Sequence, residues 1–188
     1  MRPWTGSVGF GGALVVGGIG KDLSSGWAFR ASFGRNLTRH LELGAEYEYD
    51  ALGVTSNALR RLNQPAGDAD LWSISVEPRW TFSRGKLGWY WTGGVGYYRR
   101  TVRFLQPTVA STIIFNPWWG YIGPVLVPAD IVLGSITEGE FGANAGLGVS
   151  ARLPHSRGAR VFAEIDYRWA HTDPTATTVL PITIGLRW

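Results

Sequence analysis

The last eight residues, Pro181-Ile182-Thr183-Ile184-Gly185-Leu186-Arg187-Trp188, repeat with a period of two and close on an aromatic side chain. Ile182, Ile184, Leu186 and Trp188 take one face of an extended strand, and Pro181, Thr183, Gly185 and Arg187 take the other. The same alternation recurs upstream. Leu41, Leu43, Ala45, Tyr47 and Tyr49 oppose Glu42, Gly44, Glu46, Glu48 and Asp50, and Val161, Ala163, Ile165, Tyr167 and Trp169 oppose Phe162, Glu164, Asp166 and Arg168. A helix would scatter such apolar positions around its axis, so the pattern selects strands. Composition agrees: 26 Gly and 10 Trp in 188 residues suit tightly curved strands and aromatic belts and suit helices poorly.

Alternation and turn punctuation give eight strands, near Gly6–Gly17, Gly26–Arg35, His40–Asp50, Ala69–Phe82, Leu87–Thr101, Ile136–Leu153, Arg160–Ala170 and Thr177–Trp188. The links alternate in length. Asn36-Leu37-Thr38-Arg39, Ser83-Arg84-Gly85-Lys86 and Pro154-His155-Ser156-Arg157-Gly158 are tight turns. The links around Lys21–Ser25, Ala51–Asp68, Val102–Ser135 and His171–Ala176 are longer or more variable. An even strand count with short and long links on opposite sides fits an antiparallel up-and-down barrel that includes the whole chain, residues 1–188, in one domain.

A barrel in water and a barrel in lipid bury opposite faces. Two observations favour lipid outside. Along the apolar face the aromatics collect at strand ends (Trp72 against Trp80 and Phe82; Trp89 against Tyr97; Tyr47, Tyr49, Tyr167, Trp169 and Trp188), with aliphatic residues between them. Two aromatic rings around an aliphatic band match the two headgroup levels of a bilayer, whereas a water-soluble core would place its largest side chains mid-strand. The other face carries Gly, Ser and Thr with charges of both signs. An eight-stranded lumen is filled by side chains, and Arg, with its planar fork, is the cation suited to buried carboxylates. Lys occurs only at positions 21 and 86. The expected interior is therefore an ion-pair network of Arg30, Arg79, Arg168 and Arg187 with Glu46, Glu77, Glu164 and Asp166.

In its pattern and length the chain resembles the small eight-stranded outer-membrane barrels typified by the OmpA transmembrane domain and OmpX. The resemblance implies a bacterial outer-membrane location, periplasmic tight turns, extracellular long loops and outer-membrane lipid as solvent. It also implies that Ile182, Ile184, Leu186 and Trp188 form the terminal signal presented to the barrel-assembly machinery. Met1-Arg2-Pro3-Trp4 holds no apolar export segment, so the expectation is a mature or truncated form. No run approaches the ~18 apolar residues of a transmembrane helix.

Dedicated chemistry is sparse. There is no Cys, so thiolate and disulfide chemistry are excluded, and neither cofactor nor metal spacing stands out. The formal charge of +4 is scattered roughly one basic residue per strand, which argues against nucleic-acid binding. The Gly run from Gly9 to Gly20 lacks phosphate-loop spacing and opens no helix; curvature and crowding explain it. His40 falls at the inner mouth and His155 in a tight turn. His171, beyond the seventh strand, stands at the height where lipid-modifying barrels carry a catalytic His, but no Ser faces it.

The third long link departs from a solvated loop. From Phe104 to Ser135 the only formal charge is Asp130, among Ile113-Ile114-Phe115, Trp118-Trp119 and Val125-Leu126-Val127, with prolines at 107, 117, 124 and 128. Either the flanking strands extend and the loop folds over the mouth, or the segment presents an apolar patch to another envelope protein, centred on Trp118, Trp119 and Tyr121. The leading functional expectation is a non-enzymatic structural or docking barrel. The alternatives are a lipid-modifying hydrolase or acyltransferase using His171, and a soluble β-barrel carrier of an apolar ligand. An aqueous pore is disfavoured, because eight strands leave no channel.

Overall fold

The computed structural model describes residues 3–116, 118, 120–154, 156, 158–172 and 176–188. Eight strands run in chain order: β1 (Trp4–Val16), β2 (Leu23–Asn36), β3 (Leu41–Val54), β4 (Ala66–Arg84), β5 (Leu87–Asn116), β6 (Tyr121–Arg152), β7 (Arg160–Ala170) and β8 (Thr177–Arg187). Each pairs antiparallel with the next, and β1 closes on β8 from Ser7↔Arg187 to Val16↔Thr178, giving a closed barrel. Closure leaves no unpaired edge in the wall, the condition for a sheet in hydrocarbon.

Local chemistry places the turns. Gly85 adopts φ 66, a left-handed conformation that lets a two-residue link join β4 to β5. On the opposite side, a single 3-10 turn (Gly18–Lys21) leads into β2. The link after β3 contains α1 (Ser56–Arg61), capped by Thr55, whose side chain accepts a hydrogen bond from the Ala58 amide at 3.3 Å. Close backbone approach accounts for Gly11, where an added Cβ would stand 1.8 Å from the Ile182 carbonyl oxygen.

Parity decides the two faces. Odd positions of β3 and β7, including Leu43, Tyr47, Ile165, Tyr167 and Trp169, are exposed, while Glu46, Glu48, Glu164, Asp166 and Arg168 are buried. On β8, Ile182, Ile184 and Leu186 point out and Thr183 points in. The exterior is therefore apolar and the interior polar, the inverse of a protein designed for water. This overturns the soluble-carrier alternative, which needs an apolar interior.

Aromatic rings gather at two levels. At the tight-turn end Trp80 stacks on Trp91 (4.1 Å between centroids), Phe82 on Trp89 (4.5 Å) and Trp4 on Phe33 (5.2 Å). Toward the other end lie Trp27 with Tyr49 (5.5 Å) and Tyr97 with Trp72 and Phe141 (6.0 Å each). The nine residues from Trp72 to Trp80 match the ~9–11 that a tilted strand uses to cross a bilayer.

The segment from Val102 to Ser135 is not a loop. β5 and β6 continue as a paired ribbon from Leu105↔Val132 to Asn116↔Tyr121, after a bulge at Phe104/Leu105. Pairing with β4 ends at Ala66↔Leu105 and pairing with β7 at Gly142↔Ala170. Beyond Leu105 the ribbon therefore stands alone as a hairpin, and about eleven residues per strand at ~3.3 Å each carry it roughly 35 Å past the wall. The β-branched residues Val109, Thr112, Ile113, Val125 and Val127 favour this extended form. The prolines at 107, 124 and 128 sit on strands whose outer edges are unpaired, where a missing N–H is tolerated.

Candidate functional site

Three regions carry the candidate residues: the lumen, the ribbon and the outer mouth. In the lumen Arg30 pairs with Glu46, reaches Glu164 Oε1 at 2.7 Å and lies 3.8 Å from Glu48. Arg168 bridges Glu48 (2.5 Å), Glu46 (2.7 Å) and Asp166 (2.9 Å), and donates to Ser73 Oγ at 3.0 Å. Arg79 lies 3.4 Å from Glu42, 3.8 Å from Glu164 and 3.9 Å from Glu46, and Arg187 shares Glu42 at 3.6 Å. The Tyr90 hydroxyl donates to Glu164 at 2.6 Å, and its ring lies beneath both Arg79 and Arg187. These contacts join four arginines and five carboxylates into one connected set, in which Arg30, Arg79 and Arg168 each meet three carboxylates and Arg187 meets one.

Of the residues expected in this network, Glu77 stands apart. It accepts from Ser75 Oγ at 2.6 Å and from the Asn144 amide, and among the described residues it makes no ion pair. The reason is local: Ser75, two residues away on the same face, and Asn144 across the lumen reach its carboxylate before any guanidinium does. Glu42 and Glu48 take the places that parity alone left open. Both lie on the inward face of β3 with Glu46, but which inward acid meets which Arg depends on register across the ring. That register is not readable within a single strand.

Buried side chains fill the lumen among the described residues. Above the ion pairs Ala13, Leu23, Leu52, Leu71, Tyr98 and Val179 form a buried apolar cluster with Ile19 of the 3-10 turn. Tyr90 fills the lower half so closely that an added Cβ at Gly148 would stand 2.3 Å from its ring. At the outer rim Arg100 pairs with Glu138 and donates to Thr177 at 2.8 Å, and Arg103 reaches Asp70 at 2.5 Å.

The ribbon is two-faced. Cross-strand partners share a face, so Val109, Ile113 and Phe115 lie with Pro128, Pro124 and Ile122. Ile113 is 73% exposed, Leu126 72% and Trp118 at the tip 89%. Trp119 lies outside the described residues, as does His155, and Tyr121 is placed as the first residue of β6. The ribbon does not fold over the mouth. Its base borders an apolar recess of about 450 Å³ lined by Ile19, Leu23, Ala58, Val102, Phe104 and Ile136. His171 is exposed beside Trp169 (5.7 Å between ring centroids). Among the described residues its imidazole makes no hydrogen bond to a hydroxyl or a carboxylate.

No family model matches the chain, and no curated protein matches it. Solved structures do. Neisserial surface protein A is similar at 14% identity and TM-score 0.63, with 99% of this chain and 96% of that one covered. The attachment invasion locus protein Ail of Yersinia pestis is similar at 11% identity and TM-score 0.52, with both chains covered in full (100%). The outer membrane protein OprG of Pseudomonas aeruginosa is similar at 11% identity and TM-score 0.53, with 97% and 94% covered. These likenesses establish the fold: the chain is built as a small outer-membrane-type β-barrel of eight strands.

Proposed function

We propose that this chain is an integral barrel of the bacterial outer membrane, formed by residues 1–188 as one domain, whose role is structural and non-enzymatic and whose contact surface is the β5–β6 ribbon. The observation that carries this reading is the ribbon's uncovered apolar face, Val109, Ile113, Phe115, Ile122, Pro124 and Leu126. Exposed apolar patches of this kind mark interaction sites, and Trp and Tyr are favoured anchors. Trp118 at the tip, with Trp119 and Tyr121 of the same segment, is the proposed centre of contact with another envelope protein. The filled lumen argues against transport. The solitary His171 argues against acyl or phospholipid chemistry, which requires a positioned nucleophile and base.

The test is crosslinking in intact cells of the wild type against a Trp118→Ala, Trp119→Ala double variant. Loss of a discrete crosslinked species with unchanged heat-modifiable migration is the expected result. A variant that folds and keeps every crosslink removes the docking role.

The final strand supports a second expectation. Ile182, Ile184, Leu186 and Trp188 all face outward, and Trp188 exchanges backbone hydrogen bonds with Gly6 at 3.0 and 3.1 Å. In the proposed role this strand is presented to the assembly machinery before β1 closes on it. Deleting Trp188, or introducing Leu186→Asp, is expected to remove folded barrel from the outer membrane. For the Trp188 deletion, refolding of purified chain into detergent is expected to survive. Normal cellular yield from both variants would contradict the assignment.

A further inference from the structure

The mouth on the tight-turn side is lined by cations that the barrel does not neutralise. Register places Arg160 of β7 directly opposite Arg152 of β6 and directly opposite Arg187 of β8, three like charges on adjacent strands. Directly opposed like charges are destabilising in a sheet, so the arrangement calls for an anion. Among the described residues Arg160 finds none: its Nη1 donates to Ser150 Oγ at 3.2 Å and Ser83 Oγ at 3.4 Å, both neutral. Arg187 reaches one carboxylate, Glu42, which it shares with Arg79, and its buried Nε has no acceptor. A cavity of about 330 Å³ opens here, with Arg39, His40, Arg160 and Arg187 in its wall and Glu42 as its one acidic side chain. Gly88 leaves the room: an added Cβ would stand 2.9 Å from Ser83 Oγ and 3.1 Å from Arg160 Nη1.

We propose that this mouth is a binding site for a phosphoryl oxyanion, gripped by Arg160 and Arg187 and closed at the rim by Arg39. Guanidinium forks match phosphoryl oxygens bidentately, and the hydroxyls of Ser83 and Ser150 supply neutral donors to the same oxygens. A single carboxylate would leave most of the positive charge standing; a multiply charged phosphoryl group offsets it. The same chemistry is carried by a free phosphate or diphosphate and by a phospholipid headgroup.

The experiment uses the full chain in nanodiscs of zwitterionic lipid, titrated calorimetrically with inorganic pyrophosphate at constant ionic strength. The expected result is saturable binding, weakened roughly tenfold or more by Arg160→Gln, as for the loss of a charge-assisted hydrogen bond. Arg99→Gln, at the opposite end of the wall, is expected to leave it unchanged. Arg39→Gln, in an exposed turn, carries the same test independently of the strand positions. Repeating the titration in phosphatidylglycerol nanodiscs separates the two sources: abolished pyrophosphate binding identifies the lipid headgroup, and retained binding a free phosphoryl ion. Binding no stronger than that of chloride, or equal binding by wild type, Arg160→Gln and Arg39→Gln, overturns the proposal.

Discussion

Replacing Arg168 by leucine is expected to destabilise the folded barrel by about 3–5 kcal/mol, the range for removing one partner of a buried ion pair. The guanidinium is 2% exposed and bridges Glu46, Glu48 and Asp166. Its removal leaves Glu48 with only the longer Arg30 contact (3.8 Å) and Asp166 with no cation within 4 Å among the described residues, while Glu46 keeps Arg30. The cost lies in the uncompensated carboxylates more than in the lost attraction. The control is Glu77→Gln. Glu77 already takes neutral donors from Ser75 and Asn144, so this isosteric change is expected to cost about 1 kcal/mol or less, the scale of one ordinary hydrogen bond. Equilibrium unfolding in detergent micelles measures both. If Arg168→Leu unfolds at the wild-type denaturant concentration, the network is electrostatically neutral to stability and the barrel is held by its backbone ladder and lipid-facing surface.

How far the sequence reveals this arrangement follows from the reach of each physical rule. Inward and outward faces were legible because strand parity is local: Glu46 and Tyr47 cannot share a face whatever the neighbours do. Turn positions were legible because Gly85 and the Asn36–Arg39 segment carry their own conformational preferences. The ion-pair partners were only partly legible. Glu42, Glu46 and Glu48 are equivalent by parity, and the choice of Glu48 for Arg168 is made by the stagger between β3 and β7, which never pair directly. Extension of the flanking strands is one of the two readings the sequence allows for the ribbon, but prolines at 107, 124 and 128 suggest turns and hide how far the pairing runs. Proline demotes a strand to an edge rather than abolishing it, and both ribbon strands are edges beyond the wall. The helix α1 was hidden for a similar reason. Six residues, Ser56–Arg61, are too few for a periodic signal, although Thr55 followed by Ala58 and the terminal Arg60 and Arg61 carry the capping and dipole preferences of a short helix.

The outward face supplies the second large effect, and depth is what makes it diagnostic. Ile165 sits mid-strand on β7, paired with Leu147 and Ile182 and 41% exposed on the apolar exterior. Val161 lies on the same face two strand repeats closer to the tight-turn end, paired with Ala151 and Leu186. In a bilayer, an arginine on the lipid face costs roughly 2–4 kcal/mol at the midplane and falls to about 0–1 near the interface. Ile165→Arg is therefore expected to destabilise the barrel strongly in phospholipid bilayers, and Val161→Arg only slightly, because its guanidinium can reach the headgroups. In water the same two substitutions fall on exposed surface and would each stay within about 0.5 kcal/mol of wild type. Reversible unfolding in phospholipid vesicles of both variants reads the difference directly. A steep depth dependence requires hydrocarbon around the middle of the wall; two equally mild variants would mean that the apolar exterior meets something other than a membrane.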